Sequence, residues 1–559
     1  MIDTCETLVD VVRARAAARP DDLWLRYLVS GDVTGPVVEL TYGELERRAR
    51  AIAATLQRCG RAGDRALLLY PSGLDFVTAF FGCLFAGMIP VPAYPPDPSR
   101  AQRTLAKLHA IADDCGAALA LTTSEFLPML AQVRPAGAVC LATDTCVDVA
   151  GWQAPALSAE SIALLQYTSG STGAPKGVVL QHRHLLANER SIAAGMGPVE
   201  LVVGWLPIFH DMGLIGNVLQ GLCAGSGLVL MSPVAFLKRP ARWLEAISHY
   251  RATTSGGPNF AYDLCVRRVS DEERGRLDLS SWKVAYCGAE PVRDATYRRF
   301  LARFEQRGLS PATFYPCYGL AEATLFVTGH RRGTPPRSVG FDAAALERGE
   351  IVVSTDPVRA RVLMSCGTPS PTEEVRIVDP ERHGPTEGVG EIWVRGPGVA
   401  SGYWERDADD VFRACLAGGD GPFLRTGDLG FLHGGELYLA GRRKDLIILA
   451  GRNLFPQDLE AAIEAAVPAV RPGCCAAFSI EDEGEERLCI MAETDSATTP
   501  VEHLVRDIKG AVAAACGVAT YDVLIVGKGA LPKTSSGKLE RYACRLDYRR
   551  ERACRPASE

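Results

Sequence analysis

Apolar residues in the first two thirds of the chain recur at two spacings, one helical and one extended. Between Thr41 and Cys59, Leu45, Ala49, Ile52 and Leu56 share one helical face, and Thr41 offers a hydroxyl N-cap. Arg65–Tyr70, Ala117–Thr122 and Ile162–Leu165 are short apolar runs that predict buried strands, with an amphipathic helix near Leu105–Cys115. Gly227–Met231 and Lys283–Tyr286 predict further strands, and Ala241–Tyr250 and Asp294–Arg307 predict helices. Two long runs lack charge. Phe76–Met88 reads as a buried helix, because the prolines at 90, 92, 95 and 96 end the run as loop. Met212–Leu237, broken by Asn217, Gln220, Pro233 and several glycines, reads as a helix, a turn and a strand. Neither run predicts a membrane span.

Strands alternating with helices imply largely parallel sheets covered by helices. Past Tyr318 the pattern changes. Glu374–Val378 and Glu391–Val394 alternate like half-exposed strands between Gly/Pro turns, which predicts a small β-rich module. From about Gly441 a separate α+β domain is expected. Leu459, Ile463 and Val467 line one helical face there, and Leu504, Val505, Ile508 and Val512 line another. Strands are expected at Cys475–Ile480 and Cys489–Glu493. The expected class is therefore α/β. A large N-terminal domain of helix-covered parallel sheets carries the β-rich module, and a smaller α+β domain follows.

With 559 residues, 47% of them apolar and 23% charged, the chain has the composition of an ordinary globular protein with several cores. Its net charge of −6 argues against nucleic acid as a partner, because no global basic field is present. Eighteen cysteines form no C-x-x-C pair, so neither a zinc site nor a disulfide framework is expected. Small buried thiols in a reducing cytoplasm are the expected reading. The acidic start, Met1-Ile-Asp-Thr-Cys-Glu6, lacks the basic region of a signal peptide.

Candidate chemistry centres on Tyr167-Thr-Ser-Gly-Ser-Thr-Gly-Ala-Pro-Lys-Gly177. Glycines there let the backbone approach a bulky anion. Hydroxyls and free N–H groups supply donors to phosphate oxygens, and Lys176 adds a mobile charge. The stretch is not a P-loop, since G-x-x-x-x-G-K-[ST] does not occur. A Gly/Ser run alone also describes a flexible loop, so its meaning depends on the motifs that follow.

Those motifs are Trp205–Leu214 (WLPIFHDMGL), Gly256–Tyr262 (GGPNFAY), Gly288–Pro291 (GAEP), Tyr318–Thr324 (YGLAEAT), Thr426-Gly-Asp428, Gly441–Asp445 (GRRKD) and Leu531–Lys538 (LPKTSSGK). In this order, over nearly the whole length, they resemble the adenylate-forming superfamily of acyl-CoA synthetases, adenylation domains and luciferases. The resemblance implies a large domain at 1–440, a hinge at 441–445 with Lys444 as pivot, and a mobile domain at 446–559. It implies activation of a carboxylate with ATP and Mg2+ to an acyl-adenylate and pyrophosphate, followed by capture on a thiol.

Carried over position by position, Thr168, Ser169, Gly170, Ser171, Thr172, Gly173 and Lys176 would hold the β- and γ-phosphates. Tyr318 and Gly319 would lie against adenine, with Gly288, Ala289 and Glu290 at its edge. Glu322 would ligate Mg2+. Asp428 would accept the ribose hydroxyls, with Arg442 in support. His210 would lie beside the α-phosphate and the entering carboxylate, and Lys538 would bridge the two. The chemistry requires such groups, because a carboxylate approaching a phosphate is an anion approaching an anion.

Three features narrow the branch. His210 stands where amino-acid-activating domains carry the aspartate that pairs with a substrate ammonium, although Asp211 follows directly. This favours an uncharged or fatty carboxylate. Phe80–Gly87, Pro92–Pro96, Gly256–Tyr262, Tyr315–Thr324 and Gly451–Asp458 resemble fatty acyl-AMP ligases in wording. Those enzymes pass the acyl chain to the phosphopantetheine arm of an acyl carrier protein, here expected to be a separate chain. The stretch from 329 to 366 resembles the extra segment of that group, whose implied effect is to restrain the rotation needed for coenzyme A. Two positions depart from the group: Leu454-Phe455 replaces the more frequent His-Tyr, and Cys287 replaces an asparagine. Gly257, Asn259 and Phe260 are the candidate wall of an acyl pocket. The alternatives are a fatty acyl-CoA synthetase and a non-catalytic module that binds fatty acid or nucleotide.

Overall fold

The computed structural model describes residues 2–95, 101–133, 137–169, 175–449, 452–482, 485–495, 499–534 and 537–554. Among them a nine-stranded sheet forms the centre of the large domain. From one edge its strands are Thr368–Pro369, Thr328–Gly329, Phe314–Tyr318, Val284–Cys287, Thr254–Gly257, Leu201–Gly204, Gly227–Met231, Leu23–Leu28 and Val37–Thr41. Pairing is parallel from Phe314–Tyr318 through to Leu23–Leu28, and antiparallel at both edges. A second sheet is parallel throughout, in the order Ile89–Pro92, Arg65–Leu68, Leu119–Thr122, Val139–Ala142.

The expected helix over 76–88 runs from Leu74 to Ala86 and is buried on nearly every face, which explains its lack of charge. Thr41 caps the next expected helix, Tyr42–Cys59, with its hydroxyl accepting from the Glu44 N–H. Leu45, Ala49, Ile52 and Leu56 are buried as their spacing requires. The uncharged run after His210 is a helix in three parts, with a π-helical stretch at Leu214–Leu219 between Asp211–Gly213 and Gln220–Ala224. Sequence patterning cannot separate that π stretch from an ordinary helix, since both bury the same apolar side chains. Among the described residues no helix is long and apolar enough to cross a membrane. Every cysteine whose side chain is described is a free thiol, and among the described residues no group of three or more His, Cys, Asp or Glu is placed to hold a metal.

The β-rich module is a four-stranded antiparallel sheet: Glu374–Val378, Gly390–Arg395, Leu424–His433, Glu436–Arg442. The segment around 329–366 packs on it. Its hairpin, Ser338–Asp342 with Ala360–Met364, inserts Phe341 against Phe431 and Tyr438 at ring separations of 4.9 and 5.4 Å. Phe341 is fully buried, so this segment has a core of its own with the module.

After residue 446 a three-stranded sheet, Val470–Asp482, Glu485–Thr494 and Asp522–Val526, carries the helices Pro456–Ala466, Val501–Cys516 and Arg541–Cys554. Leu459, Ile463, Val467, Leu504, Ile508 and Val512 fill one of its cores, and Val505 lies at that core's margin.

Candidate active site

Four of the motifs follow the carboxyl ends of four adjacent parallel strands. Leu201–Gly204 leads into Trp205–Leu214, Thr254–Gly257 into Pro258–Tyr262, Val284–Cys287 into Gly288–Pro291, and Phe314–Tyr318 into Gly319–Thr324. Segments remote in sequence are thereby set side by side along one edge, where open α/β sheets bind ligands.

Local backbone explains several residue types. A Cβ at Gly319 would lie 1.6 Å from the Leu325 carbonyl oxygen, so only glycine fits beside Tyr318. A Cβ at Gly257 would lie 2.6 Å from Trp205, whose ring covers that backbone. Ala289 and Thr324 hold left-handed φ values of 68° and 67°, a strained state for side-chain-bearing residues.

The Tyr318 hydroxyl donates to Asp428 Oδ2 at 2.9 Å, and Arg442 Nε meets Asp428 Oδ1 at 2.8 Å. Asp428 and Arg442 are direct partners across the antiparallel ladder, which fixes their approach. The three groups come from the large sheet, the β-module and the start of the hinge.

Lys176 and Glu322 are joined through a residue that sequence reasoning missed. Tyr403 donates its hydroxyl to Glu322 Oε1 at 2.9 Å, and Lys176 Nζ lies 4.8 Å from the Tyr403 ring centroid. Val179 N–H donates to the Gly402 carbonyl at 3.0 Å and Trp404 N–H to the Gly177 carbonyl at 2.7 Å, so this segment adds to the Pro175–Gln181 strand. That strand pairs with Ile162–Ser169, setting Thr168 opposite Lys176. Tyr167 braces the base of the hairpin by donating to Asp114 at 2.6 Å. Gly170, Ser171, Thr172 and Gly173, expected to cradle phosphates, lie outside the described residues, as does the Ser169 side chain. A lone Gly-Tyr-Trp triplet at 402–404 carries no period or motif that would have singled out Tyr403.

His210 caps the helix that begins at Asp211, and its Nδ1 lies against Asp211 Oδ1. The same carboxylate oxygen accepts from the Met212 N–H at 2.7 Å. Burial pushes the Asp211 carboxyl up, but His210 and then Lys538 outweigh it and hold the group below the usual carboxylate range. Asp211 is thus committed within the protein and is not a spare counter-ion for a substrate ammonium.

Lys538 reaches this centre from the last domain. Its loop is shaped by Thr534, whose hydroxyl accepts from the Lys538 N–H at 3.1 Å and whose N–H donates to the Lys538 carbonyl at 2.8 Å. Burial and then the Arg442 guanidinium hold the Lys538 ammonium below the ordinary lysine value, against the carboxylates of Asp211, Glu290 and Asp428. Lys107 Nζ to Glu540 at 2.8 Å and Arg293 to Glu464 at 3.2 Å tie the same domain to the large one.

At the candidate acyl wall, Trp205 stacks on Phe236 at 3.9 Å and meets Phe260 edge-on at 6.1 Å. Phe260 N–H donates to Glu290 Oε1 at 2.7 Å. Gly257 lies under Trp205. The Asn259 amide is engaged elsewhere: it donates to Thr296 at 3.0 Å and accepts from the Arg293 N–H at 3.0 Å, so it shapes the loop. Lys444 occupies a single helical turn, Arg443–Asp445, directly after Arg442.

Four motif loops along one parallel-sheet edge, with Tyr318 bonded to Asp428 of the β-module, define a nucleotide-dependent carboxylate-activating fold. The chain belongs to the AMP-binding enzyme family, whose model matches residues 12–404. It is 42% identical to the medium-chain-fatty-acid–acyl-carrier-protein ligase JamA of Moorena producens, over 97% of this chain and 95% of that one. It is 37% identical to the long-chain-fatty-acid–AMP ligase FadD26 of Mycobacterium bovis, over 98% of each chain. Among solved structures, a fatty acyl-adenylate ligase from L. pneumophila in complex with acyl adenylate and pyrophosphate matches with a TM-score of 0.77. That match has 37% identity and covers 98% of this chain and 97% of that chain.

Proposed function

We infer that the chain activates a medium- or long-chain fatty acid with ATP, forming acyl-AMP and pyrophosphate, and passes the acyl group to the phosphopantetheine thiol of a separate acyl carrier protein. The observation that carries this reading is the seating of the Lys538 loop, from the last domain, on the large domain's site: a Cβ at Gly537 would lie 3.5 Å from the Phe260 ring, and the Phe260 N–H donates to Glu290 at 2.7 Å. Relatives named for fatty acid–AMP and fatty acid–carrier ligation support the substrate class and the acceptor.

In the first step a fatty carboxylate oxygen bonds to the α-phosphorus, and the bond to the bridging oxygen of the β-phosphate breaks. Lys538 and His210 supply positive charge and donors where the two anions meet. Lys176, with Thr168 to Gly173, holds the departing pyrophosphate. Tyr318 and Gly319 seat the adenine, bounded by Gly288, Ala289 and Glu290, while Asp428 and Arg442 fix the ribose. Trp205, Gly257 and Phe260 form the wall beside the carboxylate end of the acyl chain. In the second step the carrier thiol attacks the acyl carbonyl and AMP leaves, after the last domain turns about Lys444.

Glu322 fits Mg2+ as a hard oxygen donor. Tyr403 occupies one of its oxygens and leaves the other for an ion shared with the phosphates, the usual way that ion is held. When bound, Mg2+ would neutralise charge developing on the phosphate oxygens. Free thiols throughout the described chain fit a cytoplasmic setting.

Purified protein with ATP, Mg2+ and a medium- or long-chain fatty acid, assayed with coenzyme A, with a phosphopantetheinylated carrier or with neither, tests the reading by product mass. Acyl-AMP alone without acceptor, and acyl-carrier with little acyl-CoA, is the expected result. Efficient acyl-CoA formation would replace the carrier by coenzyme A. Absence of ATP–pyrophosphate exchange with every fatty acid would leave a binding module.

A further inference from the structure

Asp211 has no role in the chemistry described so far, yet it touches a group that does. Its carboxylate lies against His210 Nδ1 and accepts the Met212 N–H at 2.7 Å. The side chain is 12% exposed, against 25% for His210, so the carboxylate is the more buried of the pair. The backbone beneath is locked. His210 carbonyl accepts from Gly213 and Leu214 at 3.0 and 2.8 Å, and a Cβ at Gly213 would lie 2.1 Å from the Pro207 carbonyl oxygen. With that backbone fixed, the ring's remaining freedom is rotation, and Asp211 is the group that restrains it.

We infer that Asp211 is a positioning residue for the activation step, orienting the His210 ring through Nδ1. This rests on the proposed acyl-adenylate reaction. The proton that Nδ1 gives to Asp211 fixes the direction of Nε2, which can donate to the reacting oxygens only when the ring carries its second proton. The tautomer and the ring angle are therefore both set at Nδ1.

Asp211→Asn keeps the shape and removes the charge. Because one Asp211 oxygen serves both His210 Nδ1 and the Met212 N–H, the amide either turns its N–H to the ring and gives up the Met212 bond, or leaves only a neutral oxygen to hold the ring. The ATP–pyrophosphate exchange kcat should fall about 10²-fold or more, the scale of a misoriented catalytic group. KM for ATP and fatty acid should stay within about threefold, because neither substrate touches Asp211. Asp211→Glu, which keeps the charge, should recover part of the loss. In a His210→Ala background the same Asp211→Asn change should cost much less than in the wild type, since it acts through that ring. Independently of any variant, the 15N spectrum of the wild-type protein should show His210 carrying its proton on Nδ1.

Equal losses from Asp211→Asn with and without His210, or a wild-type His210 lacking the Nδ1 proton, would overturn the assignment. So would full exchange activity in Asp211→Asn. A wild type inactive in exchange would instead overturn the reaction beneath it, and the spectrum would still report on the pair.

Discussion

Glu347 takes both donors of a guanidinium from the other side of the hinge: Arg452 Nε and Nη2 reach its two carboxylate oxygens at 2.9 and 3.0 Å. Asn453 adds a bond to the Glu347 carbonyl at 3.0 Å. Fourteen residues on, Arg361 meets Asp458 at 3.0 Å, donates to the Ala440 carbonyl at 2.8 Å and covers the Phe455 ring at 4.7 Å. The 329–366 segment therefore grips residues on the far side of the hinge at two points while its own core is fixed on the β-module. The proposed turn of the last domain about Lys444 would have to release both.

Each of these pairs is partly solvent-exposed, so each is worth at most about 1 kcal/mol, or roughly fivefold in a conformational equilibrium. Glu347→Ala should raise the ratio of thiol-captured product to released acyl-AMP by up to about that factor, with coenzyme A and with carrier. Arg361→Ala should do the same, and the double variant should exceed either. Product mass spectrometry at fixed enzyme gives the ratio. An unchanged ratio in the double variant would make the contacts passive.

Lys538→Ala should lower adenylate formation by about 10² or more, the cost of losing a preorganised charge in a dry site. A matching thermal midpoint would show that the loss is chemical. The wild-type rate has a pH signature of its own. Lys538 acts as the ammonium, and burial holds it below the ordinary lysine value. Activity should be retained on the acid side of that lowered pKa and fall as pH rises through it, before free lysine would titrate near about 10.4. Lys538→Arg should displace that alkaline fall upward, since arginine keeps its charge.

Tyr403→Phe removes one hydrogen bond to the Glu322 carboxylate and keeps the ring beneath Lys176. A bond to a charged acceptor is worth about 1.5–3 kcal/mol. The Mg2+ concentration for half-maximal exchange should rise about tenfold, with ATP KM at saturating metal little changed. Direct titration of Mn2+ with a non-hydrolysable ATP analogue checks the affinity without turnover. Tyr403→Leu should additionally raise ATP KM, because Lys176 loses its seat. Identical profiles for the two variants would assign Tyr403 to folding alone.

Lys444→Pro fixes φ near −65° in the turn between Arg442 and Leu446. Transfer of a supplied acyl-adenylate to carrier should fall at least about tenfold more than pyrophosphate exchange, as expected for a restrained hinge. Equal losses would place the pivot elsewhere or mean misfolding.

Much of this was legible along the chain because it depends on near neighbours. Helical spacing at Leu45–Leu56, the charge-free helix over 74–86 and the alternation at Glu374–Val378 follow from burial on one face or on all. Seven motifs in fixed order carried the family, since each is held by local backbone needs such as the glycine at 319. The contacts made by Glu347, Arg361, Tyr403 and Asp211 were not legible. Tyr403 lies 81 residues from Glu322, and Glu347 lies 105 from Arg452. An arginine or glutamate in a loop reads as solvated surface until something is folded against it.

By itself the sequence determined the alternation of strand and helix and the order of the motifs, because periodicity and motif are properties of adjacent residues. Only the tertiary structure decided which groups meet. Parallel pairing lined four loop motifs along one sheet edge, the antiparallel ladder set Arg442 against Asp428, and packing of the last domain brought Glu540 to Lys107 and Glu464 to Arg293. Those juxtapositions depend on the paths of distant segments, which no local pattern encodes.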